Sequence, residues 1–561
     1  MLLIGDYMIK KDYTGWSKEN LIKELEKFKK IKKYGFVWED KPEEVAELCK
    51  TKLPIIEENK DREIKTGEDG PLNVLIEGDN YHALSVLNYT HKGKIDVIYI
   101  DPPYNTGAKD WKYNNDYVDI NDQWRHSKWL SMMEKRLQLA KNLLKNDGVL
   151  ICAIDDNEFY HLGCLLEDIF NGWEIHCITI VHNPRGIQGG NFSYTHEYAY
   201  FIFRKGLKVV GNRKLKEDEI YWSSLRKWGG ESLRTTARNC FYPIIIKSNK
   251  IIGFGDVPSD NFHPKKQIDE VDGKYYVWPI DIQGIERKWR YSRQSVESIK
   301  ELLKIKKSED RIEIEIGKPY GTVRTVWQNP KYDASVYGTQ LVHTLVPDSH
   351  FDFPKSVYNV YDCLVPIVSE RKNALVLDYF AGSGTTGHAV LILNNEDGGN
   401  RKFILCTNNE NKIAEEVCYP RIKALVKKNK DYQEITGIKF NFKYFKTNFV
   451  NAEPTDKNKK DLVDKSTEML CLKEECFNEL KRNNNFAIFT DAKNRHLSII
   501  YNEESIDTVK VEIKKMNKKF VVYVFSLDDS AREEEFEDVK DLVELKPIPA
   551  VILNVYKRIF K

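Results

Sequence analysis

The segment Asp101-Pro102-Pro103-Tyr104 stands directly after the apolar run IDVIYI at 95–100. Its two prolines fix their φ angles and remove two backbone donors, so the corner is stiff. The Asp101 carboxylate and the Pro102 carbonyl accept hydrogen bonds, and the Tyr104 ring offers a face for stacking. An exocyclic amine on a planar base carries two donors that match these acceptors. The segment therefore predicts a binding site for a nucleobase amine.

A glycine-rich loop stands much further along the chain, in the segment DYFAGSGTTGHAV at 378–390. Gly382, Gly384 and Gly387 separate an apolar run from a helical pattern, where glycine lets the backbone turn tightly and approach a ligand. Glu410 ends the next apolar run and suits the hydroxyls of a ribose. The loop lacks the Gly-Lys-Ser/Thr ending of the ATPase phosphate loop. This pattern predicts a site for a nucleoside cofactor.

Two cofactor classes fit this loop: the dinucleotide of an oxidoreductase and the S-adenosylmethionine of a methyltransferase. The loop alone does not decide between them. Asp378, immediately before the loop, repels a pyrophosphate but suits the ammonium group of a methionine moiety. Its charge and the amine-binding corner together favour the methyl donor.

Short apolar runs that alternate with helical patterns must position these residues. Five runs of strand type precede a long interruption and two follow it, at 73–79, 95–101, 148–155, 175–181, 196–205, within 373–393 and within 401–410. Such alternation is typical of an α/β fold with a doubly wound parallel sheet. Ligands bind at the carboxyl ends of the strands in such a sheet, which is where Asp101 and Asp378 stand.

Composition limits the class of protein. The 561 residues suggest several domains, and the formal net charge of +2 gives no overall bias toward an acidic partner. The chain contains no apolar run near the roughly 18 residues of a membrane span and no signal-peptide pattern, so we expect a soluble, cytoplasmic protein. The ten cysteines show no paired CxxC or Cys/His spacing, so we expect reduced thiols and no metal site.

The segments DPPYNTG and DYFAGSGTTG together resemble the DNA amino-methyltransferases that act on adenine N6, in the permuted (beta) group. LIEGDNYHALSVLNYTHKGKIDVIYIDPPYNTG, FDFPKS and TNNENKIAEEVCYPRIKALVKK further resemble the modification subunits of type III restriction-modification systems. The resemblance implies a seven-stranded methyltransferase sheet in permuted order, with an inserted target-recognition domain and a small α+β C-terminal domain.

The resemblance also implies roles for individual residues. Asp101, Pro102, Pro103 and Tyr104 would hold the target adenine. The methyl donor would be bound by Asp79 near its adenine, Lys355 at its carboxylate, Asp378 near its methionine end, Phe380, Gly382 and Gly384 along the loop, and Glu410 at its ribose. The structural alternatives are an N-terminal helix cap for Asp79 and a solvated lysine for Lys355.

Five segments are predicted from these patterns. They are a helical N-terminal arm and linker (1–70), the first part of the catalytic domain (71–205), the target-recognition insertion (206–345), the second part of the catalytic domain (346–435) and a C-terminal assembly domain (436–561). The insertion mixes basic and aromatic residues in SSLRKWGGESLRTTARN and GIERKWRYSRQS, a composition that indicates contact with DNA.

The expected partners are double-stranded DNA with a flipped-out base, a second copy of the chain in a homodimer, and a separate restriction subunit. Three rival functions remain open: cytosine N4 methylation, for which the family's members commonly carry serine in place of the first acid of the corner; a nicotinamide-dependent oxidoreductase; and a DNA-binding subunit without catalysis.

Overall fold

The structure is a computed structural model, and it describes residues 16–23, 38–66, 70–114, 116–214, 217–308, 311–349, 351–491 and 493–560. Two compact units divide it: residues 210–324 form one, and the chain on either side of them forms the other. No described helix is long and apolar enough to cross a membrane.

The larger unit is built on a mixed sheet of eleven strands. In chain order they are β1 (Lys52–Glu58), β2 (Ile64–Lys65), β3 (Leu72–Glu77), β4 (Ile95–Ile100), β5 (Leu144–Ile154), β6 (Trp173–Val181), β7 (His196–Arg204), β8 (Val326–Gln328), β9 (Leu375–Asp378), β10 (Lys402–Thr407) and β11 (Asn441–Asn451). Their order across the sheet is β1-β11-β3-β10-β9-β4-β5-β7-β6-β8, and β2 pairs with β11. The strands β3, β10, β9, β4 and β5 run parallel to their neighbours in this series, and β7 is antiparallel to both β5 and β6.

This order brings the predicted site residues together. Strand β9 lies between β10 and β4 and pairs in parallel with both, for example Val376 with Val97. Parallel strands end at the same edge of a sheet, so Asp101 after β4 and the glycine loop after β9 emerge side by side. Every residue of β4 is buried, as expected of a strand covered on both faces.

The described helices include α1 (Glu44–Leu48), α2 (Asn80–Thr90), α3 (Arg125–Leu143), α4 (Phe159–Ile169), α5 (Leu341–Leu345), α6 (Val357–Val368), α7 (Thr385–Asp397), α8 (Tyr419–Ala424), α9 (Asp456–Asp464), α10 (Thr467–Glu474), α11 (Ile506–Met516) and α12 (Ala550–Ile559). Helix α3 packs against α2 and α4, and α6 packs against α7. Leu84 of α2 and Leu137 of α3 share one apolar core with Ile98 and Ile100 of β4.

The sheet is wider than the predicted seven strands. The segment 52–58 was assigned to a helical arm and 441–451 to the C-terminal domain, yet they form β1 and β11 and pair with each other along their length. Local patterns did not reveal this edge because the pairing joins segments nearly 400 residues apart. Residues 18–23 of the arm are helical, whereas its segments 1–15 and 24–37 lie outside the described residues.

The smaller unit, residues 210–324, lies inside the predicted insertion but ends earlier. Residues 326–328 of that insertion form β8 of the central sheet and pair with β6. The unit has its own apolar core, including Leu225, Tyr242 and Ile314. Its two main sheets are antiparallel: Lys250–Phe254, Ile244–Lys247, Lys274–Val277 and Ile268–Val271 form one, and Ser223–Ser224, Arg311–Ile316 and Leu303–Ser308 form the other.

The C-terminal region forms a five-stranded sheet from Asn478–Arg482, Phe486–Thr490, His496–Ile500, Phe520–Phe525 and Val543–Ile548, in that order. The mixture of strands and helices expected of an α+β region is present, with α11 and α12 beside this sheet. The region is not a separate compact unit, however, since its residues Tyr523 and Tyr556 belong to the same apolar core as the central sheet. The Tyr556 hydroxyl also donates a hydrogen bond to the Pro54 carbonyl of β1.

Candidate active site

The acidic corner is anchored from the residues on either side of its tyrosine. The Pro103 carbonyl accepts a hydrogen bond of 2.7 Å from Nε1 of Trp129, a buried residue of α3. Asn105, which follows Tyr104, is fully buried in a left-handed conformation with φ of 56°. Its Oδ1 accepts a hydrogen bond of 2.9 Å from Nε1 of Trp111. The corner is therefore held by two indoles as well as by its prolines.

A buried lysine lies against the two functional side chains of the corner. Lys355 Nζ lies 3.4 Å from Asp101 Oδ1, and it donates hydrogen bonds to the Tyr104 hydroxyl and to Glu197 Oε2. Its ammonium group is 4.5 Å from the centre of the Tyr104 ring. The structure thus places Lys355 in the acidic corner, and the alternative of a solvated lysine is wrong because its side chain is only 12% exposed.

Glu197 of β7 completes this group, and the sequence did not single it out. The Tyr104 hydroxyl donates to Glu197 Oε2 at 3.1 Å, and Asn359 Nδ2 donates to Oε1 at 2.7 Å. In the segment HEYAYFIFRK an acid at the start of a strand looks like a surface residue. The signal in the sequence that Glu197 is buried is the apolar run that follows it, which indicates a strand covered on both of its faces.

The charged groups of the corner shift one another's pKa values. Burial raises the pKa of Asp101, and the nearby Glu197 adds to this, while the Lys355 ammonium opposes it. For Glu197 burial acts in the same direction and is the largest single influence, but the charges of Lys355 and His182 and the hydrogen bonds from Lys355 and Tyr104 together lower the pKa of Glu197. Burial alone would lower the pKa of Lys355, but the two carboxylates raise it. Lys355 is therefore the cation that lies between a buried carboxylate, Glu197, and a partly buried one, Asp101.

The glycine loop joins β9 to α7. Gly382 and Gly384 have φ of 49° and 80°, a region that favours glycine, and Gly384 is the N-cap residue of α7. A side chain at Gly384 would meet Cys418 Sγ at 3.0 Å, so the loop also needs a residue without a Cβ for packing. Phe380 is partly exposed beside these glycines.

Asp378 is turned into the protein and supports the loop. Its Oδ1 accepts a hydrogen bond of 2.9 Å from the Phe380 backbone, and its Oδ2 accepts one of 2.5 Å from the Thr386 hydroxyl. Burial raises the pKa of Asp378 to about 7, although both hydrogen bonds oppose the shift. Both oxygens thus have partners within the loop, and the role near the methionine end of a donor stays a prediction.

The substitution Asp378→Asn is expected to stabilise the protein at pH 8 more than at pH 5. The native state holds the Asp378 proton more tightly than an unfolded chain, whose carboxyl has the ordinary pKa of 3.8. The Asp378 carboxyl therefore costs no native stability below pH 3.8, where it is protonated in both states. The native state loses stability relative to the unfolded chain as the pH rises from 3.8 to about 7. The upper limit of the gain is about 4 kcal/mol, at about 1.4 kcal/mol for each pKa unit. Thermal unfolding of both proteins at the two pH values measures it, and Asp507→Asn at an exposed site is the control. A gain in stability that does not depend on pH would contradict a buried Asp378 with a raised pKa in the native state.

Glu410 and Asp79 flank the loop on the next strands. Glu410 follows β10, is partly exposed, and forms an ion pair of 2.6 Å with Lys112. Asp79 follows β3, where its Oδ1 caps α2 by accepting a hydrogen bond of 2.7 Å from the Tyr81 backbone. Buried Arg136 pairs with Asp79 at 3.2 Å. Asp79 is therefore a helix cap in this structure, and contact with a donor's adenine stays a prediction.

The predicted residues thus lie at the ends of four adjacent strands, β3, β10, β9 and β4. The corner residues and Lys355 form one group, whereas Phe380, Gly382 and Gly384 form the loop beside it. The sequence missed Glu197, Arg136 and the Trp anchors. Glu197 and Arg136 contact the site from elements distant in the chain.

The N6/N4 methyltransferase family model, described as "DNA methylase", matches residues 95–417, a range that contains both the acidic corner and the glycine loop.

Three relatives illustrate the similarity to individual proteins. The chain is 30% identical over 389 residues to the type III restriction-modification enzyme EcoPI Mod subunit of Escherichia phage P1, covering 60% of this chain and 58% of that protein. It is 31% identical over 360 residues to the type II methyltransferase M.KpnI of Klebsiella pneumoniae, covering 59% of this chain and 79% of that one. The StyLTI Mod subunit of Salmonella typhimurium is 27% identical over 454 residues, with 73% of this chain and 64% of that protein covered. The chain therefore spans less than two thirds of the two Mod subunits.

Among solved structures, the M1.HpyAVI–SAM complex aligns with a TM-score of 0.30 and 14% identity, covering 63% of this chain and 98% of that one. TTHA0409, a putative DNA modification methylase from Thermus thermophilus, aligns with a TM-score of 0.31 and 12% identity, covering 66% of this chain and 98% of that one.

Proposed function

The chain belongs to the N6/N4 DNA methylase family, and from this premise we propose that it transfers a methyl group from S-adenosylmethionine to the N6 amine of adenine in duplex DNA. The observation that carries the proposal is the pairing of β4 with β9, which sets the acidic corner beside the glycine loop. The strand order supports the permuted methyltransferase arrangement, with strands added at its edges. Similarity to two Mod subunits supports a role as the modification subunit of a restriction-modification system.

The residues present fit the proposed cofactor. Gly382 and Gly384 take positive φ angles, so the loop can make the tight turn between strand and helix that a nucleoside-binding loop needs. Glu410 is a partly exposed carboxylate at the end of β10 and offers acceptors to ribose hydroxyls. When bound, S-adenosylmethionine supplies an electrophilic methyl group. Phe380, Gly382 and Gly384 would line it, and Asp79 and Glu410 would hold its nucleoside.

The corner would act on the amine through three groups. Asp101 and the Pro102 carbonyl accept its two N–H bonds, and the Tyr104 ring stacks on the base. The amine gains positive charge as it forms its new bond to carbon, so these acceptors act more strongly in the transition state than in the ground state. The raised pKa of Asp101 suits it to take the proton that the methylated amine releases. Lys355 and Glu197 are positioning residues for Asp101 and Tyr104.

The adenine must leave the duplex to reach this corner. A base that is stacked and paired cannot place its amine against Asp101, so it must be flipped out at a cost of a few kcal/mol. Stacking on Tyr104 and the two amine contacts offset this cost. The acid at the first position of the corner supports adenine over cytosine as the target.

The direct test is modification-sensitive sequencing of DNA from a host with and without the gene. N6-methyladenine in a defined sequence context is the expected result, and the Asp101→Ala gene is the matched control. Mass analysis of the nucleosides separates N6-methyladenine from N4-methylcytosine. Absence of any methylated base from DNA exposed to soluble, donor-binding protein would overturn the proposal.

The unit 210–324 is the proposed target-recognition part. Trp228 and Ile282 are exposed on it, as is Arg290. Two basic residues of the first quoted run are instead structural: Arg226 and Arg234 are buried and pair with Glu313 and Glu286. Only the exposed members of these runs are candidates for DNA contact.

Exchanging residues 210–324 for the same region of a relative with a different target is expected to change the methylated sequence. Donor binding should stay the same, because the proposed donor-binding residues lie in the other unit. Sequencing of methylated sites and equilibrium binding of S-adenosylmethionine measure the two results. A folded hybrid that keeps the original target would place recognition outside this unit.

The proposed partners are duplex DNA, a second copy of this chain and a separate restriction subunit. Similarity to the Mod subunits supports the restriction subunit, whereas the homodimer is what the family resemblance implies. Light scattering at micromolar concentration is expected to give about twice the 65.6 kDa of one chain. A mass of 65.6 kDa that does not change with concentration would contradict the homodimer.

A further inference from the structure

Two histidines and a glutamate meet behind the acidic corner. His126 lies in the first turn of α3, Glu158 immediately precedes α4, and His161 lies in the first turn of α4. His126 Nδ1 is 2.6 Å from Glu158 Oε1, and His161 Nδ1 is 2.8 Å from Glu158 Oε2. Within the described part of the chain, this is the one group of three such side chains whose ligand atoms all lie within 4.8 Å of one another.

From this geometry we propose that His126, Glu158 and His161 bind one divalent transition-metal ion, with Zn²⁺ as the ion that suits them best. Two imidazoles and a carboxylate are a ligand set of zinc, with metal–ligand bonds of about 2.0–2.2 Å. Around a tetrahedral ion such bonds set ligand atoms about 3.3 Å apart. Each imidazole nitrogen lies 2.6 or 2.8 Å from a Glu158 oxygen, and no two of the ligand atoms are more than 4.8 Å apart. These separations lie on both sides of about 3.3 Å, so small side-chain rotations suffice to place the ligand atoms around an ion.

Glu158 is buried and held by a hydrogen bond from a neighbouring side chain, as metal-binding carboxylates commonly are. Its side chain is fully buried, and Asn105 Nδ2 donates a hydrogen bond to its Oε1. Trp111 Nε1 in turn donates to Asn105 Oδ1 at 2.9 Å, which fixes the orientation of the amide. Partners of this kind orient metal ligands and raise metal affinity. The two imidazoles are about a third exposed, which leaves one side open for entry of the ion and for a water ligand.

One neighbouring group, the Arg125 guanidinium, opposes binding of a metal ion. Arg125 Nε donates to His126 Nε2 at 3.1 Å, which places the His126 proton on Nδ1, toward Glu158. Binding of a metal at Nδ1 moves that proton to Nε2 and ends the hydrogen bond from Arg125. The guanidinium also repels a cation. Removing it should therefore strengthen metal binding, whereas a purely structural hydrogen-bonded triad gains nothing from its removal.

The site connects with the corner through one residue. Asn105 follows Tyr104 in the chain and bonds directly to Glu158. A bound ion would connect α3 and α4, through Glu158 and Asn105, to the backbone that carries Tyr104. It would therefore reduce the mobility of the acidic corner. The proposal itself concerns metal binding and does not depend on the methyltransferase function.

The test is metal titration of the full-length protein after removal of metals with a chelator. Wild type is expected to take up one equivalent of Zn²⁺ in competition with a chromophoric chelator and to unfold at a higher temperature with Zn²⁺ present. His126→Ala and His161→Ala should each weaken binding at least about a hundredfold, since loss of a supporting group alone costs about 10–100-fold. Arg125→Gln should bind more tightly than wild type.

The matched control is His176→Ala, because His176 faces Glu174 at 3.3 Å on an exposed part of β6 where the structure offers no third ligand among its described residues. This variant should bind Zn²⁺ as wild type does. Circular dichroism establishes that each variant is folded, and if His126→Ala does not fold, His161→Ala decides. No uptake by wild type, equal uptake by wild type and His161→Ala, or a Co²⁺ spectrum with thiolate charge transfer would each overturn the proposal.

Discussion

The substitution Asp101→Ala is expected to lower kcat for methyl transfer by about 10²–10³, the usual effect of removing a preorganised contact to charge that develops in the transition state. The variant lacks one of the two acceptors for the adenine amine, while the glycine loop and the unit 210–324 are untouched. Binding of DNA should change far less, because contacts to phosphates supply most of it. Donor binding should remain comparable to that of wild type.

Single-turnover methylation of a cognate duplex measures this effect, and a gel shift and donor titration measure the two binding steps. Asp101→Asn is the matched control, because it keeps one acceptor oxygen without the charge and should fall between alanine and wild type. Retention of more than about a tenth of wild-type turnover in Asp101→Ala, a loss of only ~1.4 kcal/mol, would remove Asp101 from its catalytic role.

The substitution Lys355→Met is expected to destabilise the protein by about 3–5 kcal/mol and to abolish turnover. It removes the ammonium beside the buried Glu197 and the partly buried Asp101 and leaves both carboxylates without that partner, and breaking a buried ion pair in this way is costly. The pKa values of both carboxyls should then rise. The loss of stability should therefore grow as the pH rises, because at low pH the variant can protonate both groups. Denaturant unfolding at pH 5 and pH 8 measures the effect.

The double variant Lys355→Met/Glu197→Leu separates the electrostatic explanation from simple packing. Replacing both members of a buried pair by apolar residues is often close to neutral, so the double variant should be more stable than Lys355→Met. If the two proteins are equally unstable, the charge pair is not the cause. Donor titration of the double variant also tests the predicted contact of Lys355 with the donor's carboxylate, which would appear as a loss of affinity in a folded protein.

The sequence by itself determined the parts of this protein that local patterns encode. The run IDVIYI specifies a fully buried strand, the following DPPY a stiff acidic corner, and the spacing of Gly382 and Gly384 a turn into a helix. These features depend on residues within about ten positions of one another. For this reason the central strands that carry the motifs, the loop and the α/β class could be predicted from the order of the amino acids alone.

Only the tertiary structure decided which distant groups complete the site. Glu197, Lys355 and Arg136 act on Asp101, Tyr104 and Asp79 through hydrogen bonds and charge pairs that join different elements. The same holds for β1 and β11 at the sheet edge and for His126 beside Glu158. A hydrogen bond or an ion pair requires two groups within about 3–4 Å, and residues roughly 30 to 400 positions apart reach that distance only after the whole sheet has formed. Local composition carries no record of such distances, so the partners of the motif residues were decided by the fold.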